Sequence, residues 1–316
     1  MPLLPSRRAA LLASLLLLPL LAGGCATLGV RGSAPAPAFL YRSALNTPGG
    51  RFEIWYDAQD EAVVSVVRTA LQRAAERVGR WGTLQRPVVV RLYPTHESLE
   101  AAVHRFGYDW LRAWARYDEI FLQSPRTFSV FERGEANLAE LLTHELTHCL
   151  MYQLAAEESR WRKVDRQIPI WFREGMASWT ADQGRRRVSE GRLTTWLRSE
   201  HHNPLAEAAS LYRDEAAWIY GASHWAFTFL VERYGTGRVL KLMDALREGA
   251  GFGRGFESVM GLSEAVFSEE VLRYFLWEGW QDREHPTARQ TFEGGTSSPA
   301  PEAAVSEEPH PATPAS

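Results

Sequence analysis

The chain has 316 residues, enough for one large domain or two small ones. Hydrophobic residues make up 45% and 12 are Trp, so a sizeable core can form. The net charge is −3, with neither the basic excess that nucleic acid would call for nor a long acidic block.

The first segment differs from the rest. MPLLPSRRAALLASLLLLPLLAGGC sets Arg7 and Arg8 before a leucine-rich run and small residues before Cys25. That order predicts a signal peptide over residues 1–24. Pro19 breaks the run, which is short for a membrane-spanning helix. LAGGC resembles a bacterial lipobox, which implies a lipid on Cys25 and a place at the cell envelope, periplasmic or outer-membrane associated. A plain secretory signal or an uncleaved anchor would carry the same pattern, and Ser6-Arg7-Arg8 in part resembles a twin-arginine signal. With Cys25 lipidated, Cys149 has no cysteine to pair with inside the chain, so core packing or a metal must hold the fold.

Residues 25–50 are rich in Ala, Pro, Gly and Ser and predict a flexible tether. RFEIWYD (51–57) alternates like a strand. Val63, Val66, Val67, Ala70, Leu71, Ala74 and Val78 recur at helical spacing over 59–80. PVVVRLYP (87–94) predicts a second strand, Thr95 to about Phe106 a short helix, and RYDEIFLQ (116–123) a third strand. A helix is expected over 134–156, a loop over 156–168, and another helix over 168–183 with Pro169 in its first turn and Gly184 at its end. The chain to 282 then reads as helical, with the Gly-rich 249–257 as a linker. Residues 283–316, with six prolines and one aromatic, predict a disordered tail. The order β-α-β-α-β followed by helices makes the class α+β: a small N-terminal mixed sheet, then a mostly helical C-terminal half. Subdomains of 51–183 and 184–282 are expected.

The chemistry gathers in LAELLTHELTHCLMY (138–152). His144 and His148 stand four apart, on one helical face and about 6 Å from each other. Two imidazoles so placed can point at one ion, with Zn–N bonds of about 2.0–2.1 Å. Glu145 then sits beside the ion, where it can take a proton from a water. The pattern is HExxH. Leu141, Leu142, Cys149 and Tyr152 give the helix a packed side, and polar groups buried there need partners. A core helix with satisfied histidines is the alternative. Cys149 reads as a small buried residue.

Catalytic zinc needs a third protein ligand and an open fourth position. Met151 and Leu154 exclude the extended HExxHxxGxxH form. Glu157, Glu158, Asp165, Glu174, His201 and His202 are downstream candidates. Glu157 would lie roughly 13 Å beyond His148 on a continuing helix, out of reach. Glu174, among Trp171, Phe172, Met176 and Trp179, can reach if its helix packs back antiparallel; pairing with Arg173 is the alternative.

LLTHELTHCL followed by PIWFREGMASW resembles the gluzincin metallopeptidases, in particular the small peptidase-MA-like group. The resemblance covers about 51–282 in element order, though only these two motifs are specific. It implies one Zn2+ held by His144, His148 and Glu174, with Glu145 as general base. It also implies a cleft strand before the active-site helix, which YDEIFLQ matches and whose edge could pair with an extended peptide. Members usually place a Tyr or His to stabilise the oxyanion, and Tyr220 and His224 in WIYGASHWAF fit, Tyr220 in preference. Packing over Trp218, Trp225, Phe227 and Phe229 is the other reading of that pair. Ser178, four after Glu174, could orient it. No aminopeptidase GxMxN motif precedes the helix. Arg185–Arg187 reads as a solvated turn and His201-His202 as a surface loop. The expected function is zinc-dependent hydrolysis of peptides or unfolded protein at the membrane, with no nucleic-acid partner. A non-catalytic, zinc-stabilised binding or assembly lipoprotein is the second expectation, and a fourth protein ligand would favour it.

Overall fold

The structure, a computed structural model, describes residues 37–129, 132–184, 188–200, 203–211 and 215–276. The signal peptide, Cys25, the tether up to residue 36, Arg185–Arg187, His201-His202 and the tail from 283 lie outside the described residues. Among those described, no helix is long and apolar enough to cross a membrane.

The fold is α+β. Strands β1 (Tyr41–Thr47), β2 (Gly50–Tyr56), β3 (Val88–Tyr93), β4 (Ala113–Arg116) and β5 (Glu119–Gln123) form one sheet in the order β1-β2-β3-β5-β4. The pairs β2–β3 and β3–β5 are parallel, and the two outer strands are antiparallel. Helix α1 (Glu61–Val78) makes the first crossover and α2 (His96–Val103) lies in the second. Thr95 caps α2 in a reciprocal capping box with Ser98.

Strand side chains alternate between the two faces. Phe52, Ile54, Val88, Val90, Leu92, Ile120 and Leu122 join the main core under α1. Tyr93, Leu99 and Leu111 form a smaller cluster with Trp114 and Phe121 on the other face. The main core runs on without a break through Phe172, Phe227 and Phe256 to Phe275, across the boundary expected near residue 183.

Several sequence expectations change. Residues 41–50 are not tether: Thr47-Pro48-Gly49-Gly50 is a tight turn, and Tyr41–Thr47 pairs along β2. Turn residues and linker residues share a composition, which hid the strand. RYDEIFLQ is not one strand but the closing part of a hairpin, β4–Tyr117-Asp118–β5. A two-residue hairpin turn needs positive φ, and Tyr117 supplies it at 62° without the usual Asn-Gly signal. Such a residue costs about 1–2 kcal/mol in the left-handed region. Ring contacts to Tyr152 and Trp161, with centroids 5.3 and 5.8 Å away, offset it.

The loop expected over 156–168 holds α4 (Trp161–Gln167). Helix α3 is Glu135–Ala155 and α5 is Ile170–Thr180, with Pro169 one residue ahead of it. After α6 (Glu190–Glu200) and α7 (Ala208–Leu211) comes α8 (Ala216–Tyr234). The chain continues through α9 (Thr236–Arg247), α10 (Phe252–Met260) and α11 (Glu264–Leu276). Residues 252–257 are therefore helix rather than linker, because Phe252 and Phe256 bury one face.

Helices α5 and α8 meet at Gly175. A Cβ there would lie 2.4 Å from the Ser223 carbonyl oxygen and 2.8 Å from the Phe227 Cβ. Gly175→Ala should therefore destabilise by about 1–3 kcal/mol despite the better helix propensity of Ala. Thermal unfolding should fall by about 2–4 °C per kcal/mol. Gly253→Ala, with open space around it, should leave the midpoint within about 2 °C.

Candidate metal centre

Helix α3 is buried almost all round, as a central helix must be. Leu138, Leu142, Leu146 and Leu150 anchor it in the main core. Its buried hydroxyls are satisfied within the helix: Thr143 donates to the Ala139 carbonyl and Thr147 to that of Thr143, at 2.6 and 2.7 Å. His144 and Glu145 are also buried, and His148 is partly so.

Helix α5 carries Glu174 to the histidines. His144 Nε2 and His148 Nε2 are 3.2 Å apart. Glu174 Oε2 is 3.3 Å from the first and 3.7 Å from the second. A tetrahedral site with bonds of about 2.0–2.1 Å has donor–donor edges of about 3.3–3.4 Å. Glu174 Oε2 is buried against these two ring nitrogens, and His144 Nδ1 is buried without a hydrogen-bond partner. Two imidazoles and a carboxylate at this spacing suit a borderline-soft divalent ion such as zinc. Among the described residues the clustered ligating set is His144, His148 and Glu174.

The two carboxyls are driven apart. Burial pushes Glu145 above the usual carboxyl range; His144 and His148 pull it down, Glu174 adds to the rise, and the Ala115 backbone N–H donates to it. Burial would raise Glu174 as well, but the charge on His148 and hydrogen bonds from both imidazoles outweigh it, and Glu174 lies well below the usual range. Burial opposes charge on His148, and Glu174 overcomes it, so this imidazole is raised.

The other candidates lie elsewhere. Arg173 pairs with Asp165, not with Glu174, and the Tyr152 hydroxyl donates to Asp165 at 2.6 Å. Glu158 pairs with Arg86 at 2.9 Å, and Glu157 stands apart from the cluster, exposed. Cys149 is fully buried, and burial pushes its thiol well up.

A cavity of about 660 Å³ opens over the cluster, within the usual size of a ligand site. Leu141, His144, Glu145, His148 and Tyr152 of α3 form one wall and Ala113–Tyr117 another. Tyr220 lines it, with its ring centroid 6.2 Å from that of His144. His224 does not line it, although it is one turn from Tyr220. Its ring lies against Gly184, where a Cβ would come within 2.0 Å, and its Nδ1 is 3.2 Å from Ser178 Oγ. Gly184 thus serves this close approach rather than ending α5, which stops at Thr180. Ser178 holds His224 and does not bond the Glu174 oxygen that faces the histidines.

Two parts of the cavity gave no sequence signal. One is the Ala115 N–H on Glu145, a backbone group. The other is Gln183, a loop residue in the cavity wall whose Oε1 is buried without a hydrogen-bond partner.

The sequence profile of the Peptidase MA superfamily matches residues 67–276. No curated protein matches the chain. A solved structure of the M1 zinc metallopeptidase from Deinococcus radiodurans is 12% identical, with a TM-score of 0.34 and coverage of 75% of this chain and 51% of that one. A mutant of a two-domain M1 zinc metallopeptidase bound to L-arginine is also 12% identical, with a TM-score of 0.35 and the same coverage. The chain spans about half the length of these structures.

Metal added at about 100-fold over its Kd should stabilise the native state by about 2.7 kcal/mol, or about 5–10 °C in Tm. Glu174→Ala and His148→Ala should bring metal content well below about one ion per chain and abolish that thermal shift. Elemental analysis paired with thermal unfolding checks both; a full shift in either variant would contradict the assigned ligands.

Proposed function

Because the chain belongs to the Peptidase MA superfamily, we propose that it is a zinc-dependent peptide-bond hydrolase of gluzincin type, working at the cell envelope. The convergence of His144 Nε2, His148 Nε2 and Glu174 Oε2 at the edges of a tetrahedral site carries this reading. Zinc bound there would supply a Lewis acid for the scissile carbonyl and bring the pKa of a water to about 7.

The chain's own residues do the rest. Glu145 is buried beside the ligands with its carboxyl raised, which suits a group that must both take and return a proton. It accepts the proton of the attacking water and passes it to the leaving amine. The Ala115 N–H fixes the Glu145 carboxylate against β4.

Strand β4 holds the substrate backbone. It is one of the two outer strands of the sheet, whereas β5 of YDEIFLQ is paired on both sides, and Gln123 N–H donates to the Arg112 carbonyl at 2.8 Å. Hydrogen-bonded pairs alternate along an antiparallel ladder, so Arg112, Trp114 and Arg116 pair with β5. The main-chain groups of Ala113 and the carbonyl of Ala115, whose N–H is held by Glu145, face the open edge, where an extended peptide can add as a strand. Tyr220, which lines the cavity, would donate a hydrogen bond to the developing oxyanion, whereas His224 contacts Ser178 outside the lining. A metal-stabilised binding lipoprotein would need no buried base, and Glu145 is one. Export through the 1–24 leader and a lipid on Cys25 would place the cleft outside the membrane, where unfolded protein or peptide is the substrate.

Glu145→Gln should keep metal at wild-type stoichiometry and lose cleavage of an unstructured protein by about 10³-fold or more. Tyr220→Phe should lower kcat by about 10²–10³ with KM little changed. Steady-state kinetics on a peptide library, with metal content measured alongside, checks both; a fully active Glu145→Gln variant would overturn the mechanism.

A further inference from the structure

The charge of the cleft opposes that of the chain. The chain is net negative. Its cavity is lined by six arginines, Arg105, Arg112, Arg116, Arg162, Arg166 and Arg173, against three carboxylates, Glu145, Asp165 and Glu174. Glu174 belongs to the ligating cluster, Glu145 is buried beside it, and Asp165 is taken by Arg173. Arg112 is answered by Glu132 at 2.9 Å. Arg105, Arg116, Arg162 and Arg166 have no ion pair among the described residues.

Three of these four cations gather at one end, whereas Arg105 lies over the Trp114 ring, 5.2 Å from its centroid. Tyr117, at the end of β4, packs against Trp161, the first residue of α4, which sets α4 beside Arg116. Arg116 lies over the Tyr117 ring, 5.9 Å from its centroid. Arg162 and Arg166 are exposed and one helical turn apart on α4. Like charges at that spacing repel by about 0.2–0.5 kcal/mol, so their placement on a cavity wall favours an anion. The opposite end is chemically different: Tyr108, Trp110 and Tyr220 line it, with Trp110 edge-on to Tyr220 at 5.9 Å.

We propose that the β4–α4 end of the cleft is a carboxylate subsite. There Arg116, Arg162 and Arg166 select peptides that present an acidic side chain, or the chain-terminal carboxylate, beside the scissile bond. This rests on the reading of the cleft as a peptide site. Guanidinium groups bind carboxylates with two parallel hydrogen bonds, stronger than neutral ones. Field focusing in a low-dielectric cleft extends their reach.

The test measures binding of matched peptides to the metal-loaded full chain carrying Glu145→Gln. The peptides carry Glu, Gln or Lys at each position in turn, with a free or amidated C-terminus. At one position Glu should bind about 10-fold tighter than Gln and more so than Lys, and the gap should shrink as salt rises. If instead amidation alone removes the gain, the anion is the chain terminus. Arg162→Gln with Arg166→Gln should level the preference, and Arg162→Glu with Arg166→Glu should turn it towards Lys. Equal binding of the Glu and Lys peptides, an unchanged preference in both double variants, or no peptide binding would overturn the subsite. Wild-type protein that binds acidic peptides but cuts none would overturn the peptidase reading and leave the subsite standing.

Discussion

Burying the Glu174 carboxylate costs several kcal/mol unless its charge is answered at short range. Three packing facts bring the answer to it. Leucines on α3 lock the histidines in the main core. The i−4 hydroxyl bonds of Thr143 and Thr147 let α3 be buried on its polar side as well. Gly175, the neighbour of Glu174, lets α8 press directly on α5. Remove the small residue and α5 must retreat, taking its carboxylate from the imidazoles. Fold stability and ligand geometry therefore depend on the same contact.

That geometry also divides labour between two carboxyls in one cavity. Both are desolvated, and burial alone would raise both. Glu174 faces the two Nε2 atoms directly, and their charge and hydrogen bonds reverse the effect. Glu145 feels the same imidazole charges and one backbone N–H from β4, but Glu174 works against them, and together they are too little to reverse the effect. Environments that push two titratable groups in opposite directions suit distinct roles, and those proposed here are an ionised metal ligand and a group able to exchange protons.

The clustering of His144, His148 and Glu174 was legible because it is written in fixed spacings. HExxH places two imidazoles on one face whatever surrounds the helix, and an acidic residue inside WFREGMASW has few ways to be satisfied. The strands at 51–56 and 88–93 and the helix α1 were legible for the same reason, since their periodicity is local. What escaped depended on distant partners. The turn at Tyr117 is held by Tyr152 and Trp161, far along the chain. Strand β1 was concealed by a Pro-Gly turn that reads equally well as linker. His224 and Tyr220 share a helical face, yet only the backbone at Gly184 decides which of them meets the cavity. Helical spacing says which residues are neighbours, not what covers them.

If the cleft takes a peptide as proposed, the Tyr117 turn joins its two means of recognition. Upstream of it, Ala113 and the Ala115 carbonyl offer main-chain groups, which every peptide could satisfy equally. Their small side chains leave room against α3 but add no discrimination. Any preference must come from the ends of the cleft, and the turn builds one of them. By stacking on Trp161 it brings the arginines of α4 to where β4 stops. A strained tyrosine in place of glycine makes sense on these terms: glycine would make the turn more easily but would leave α4, and the charge it carries, without an anchor at the edge strand.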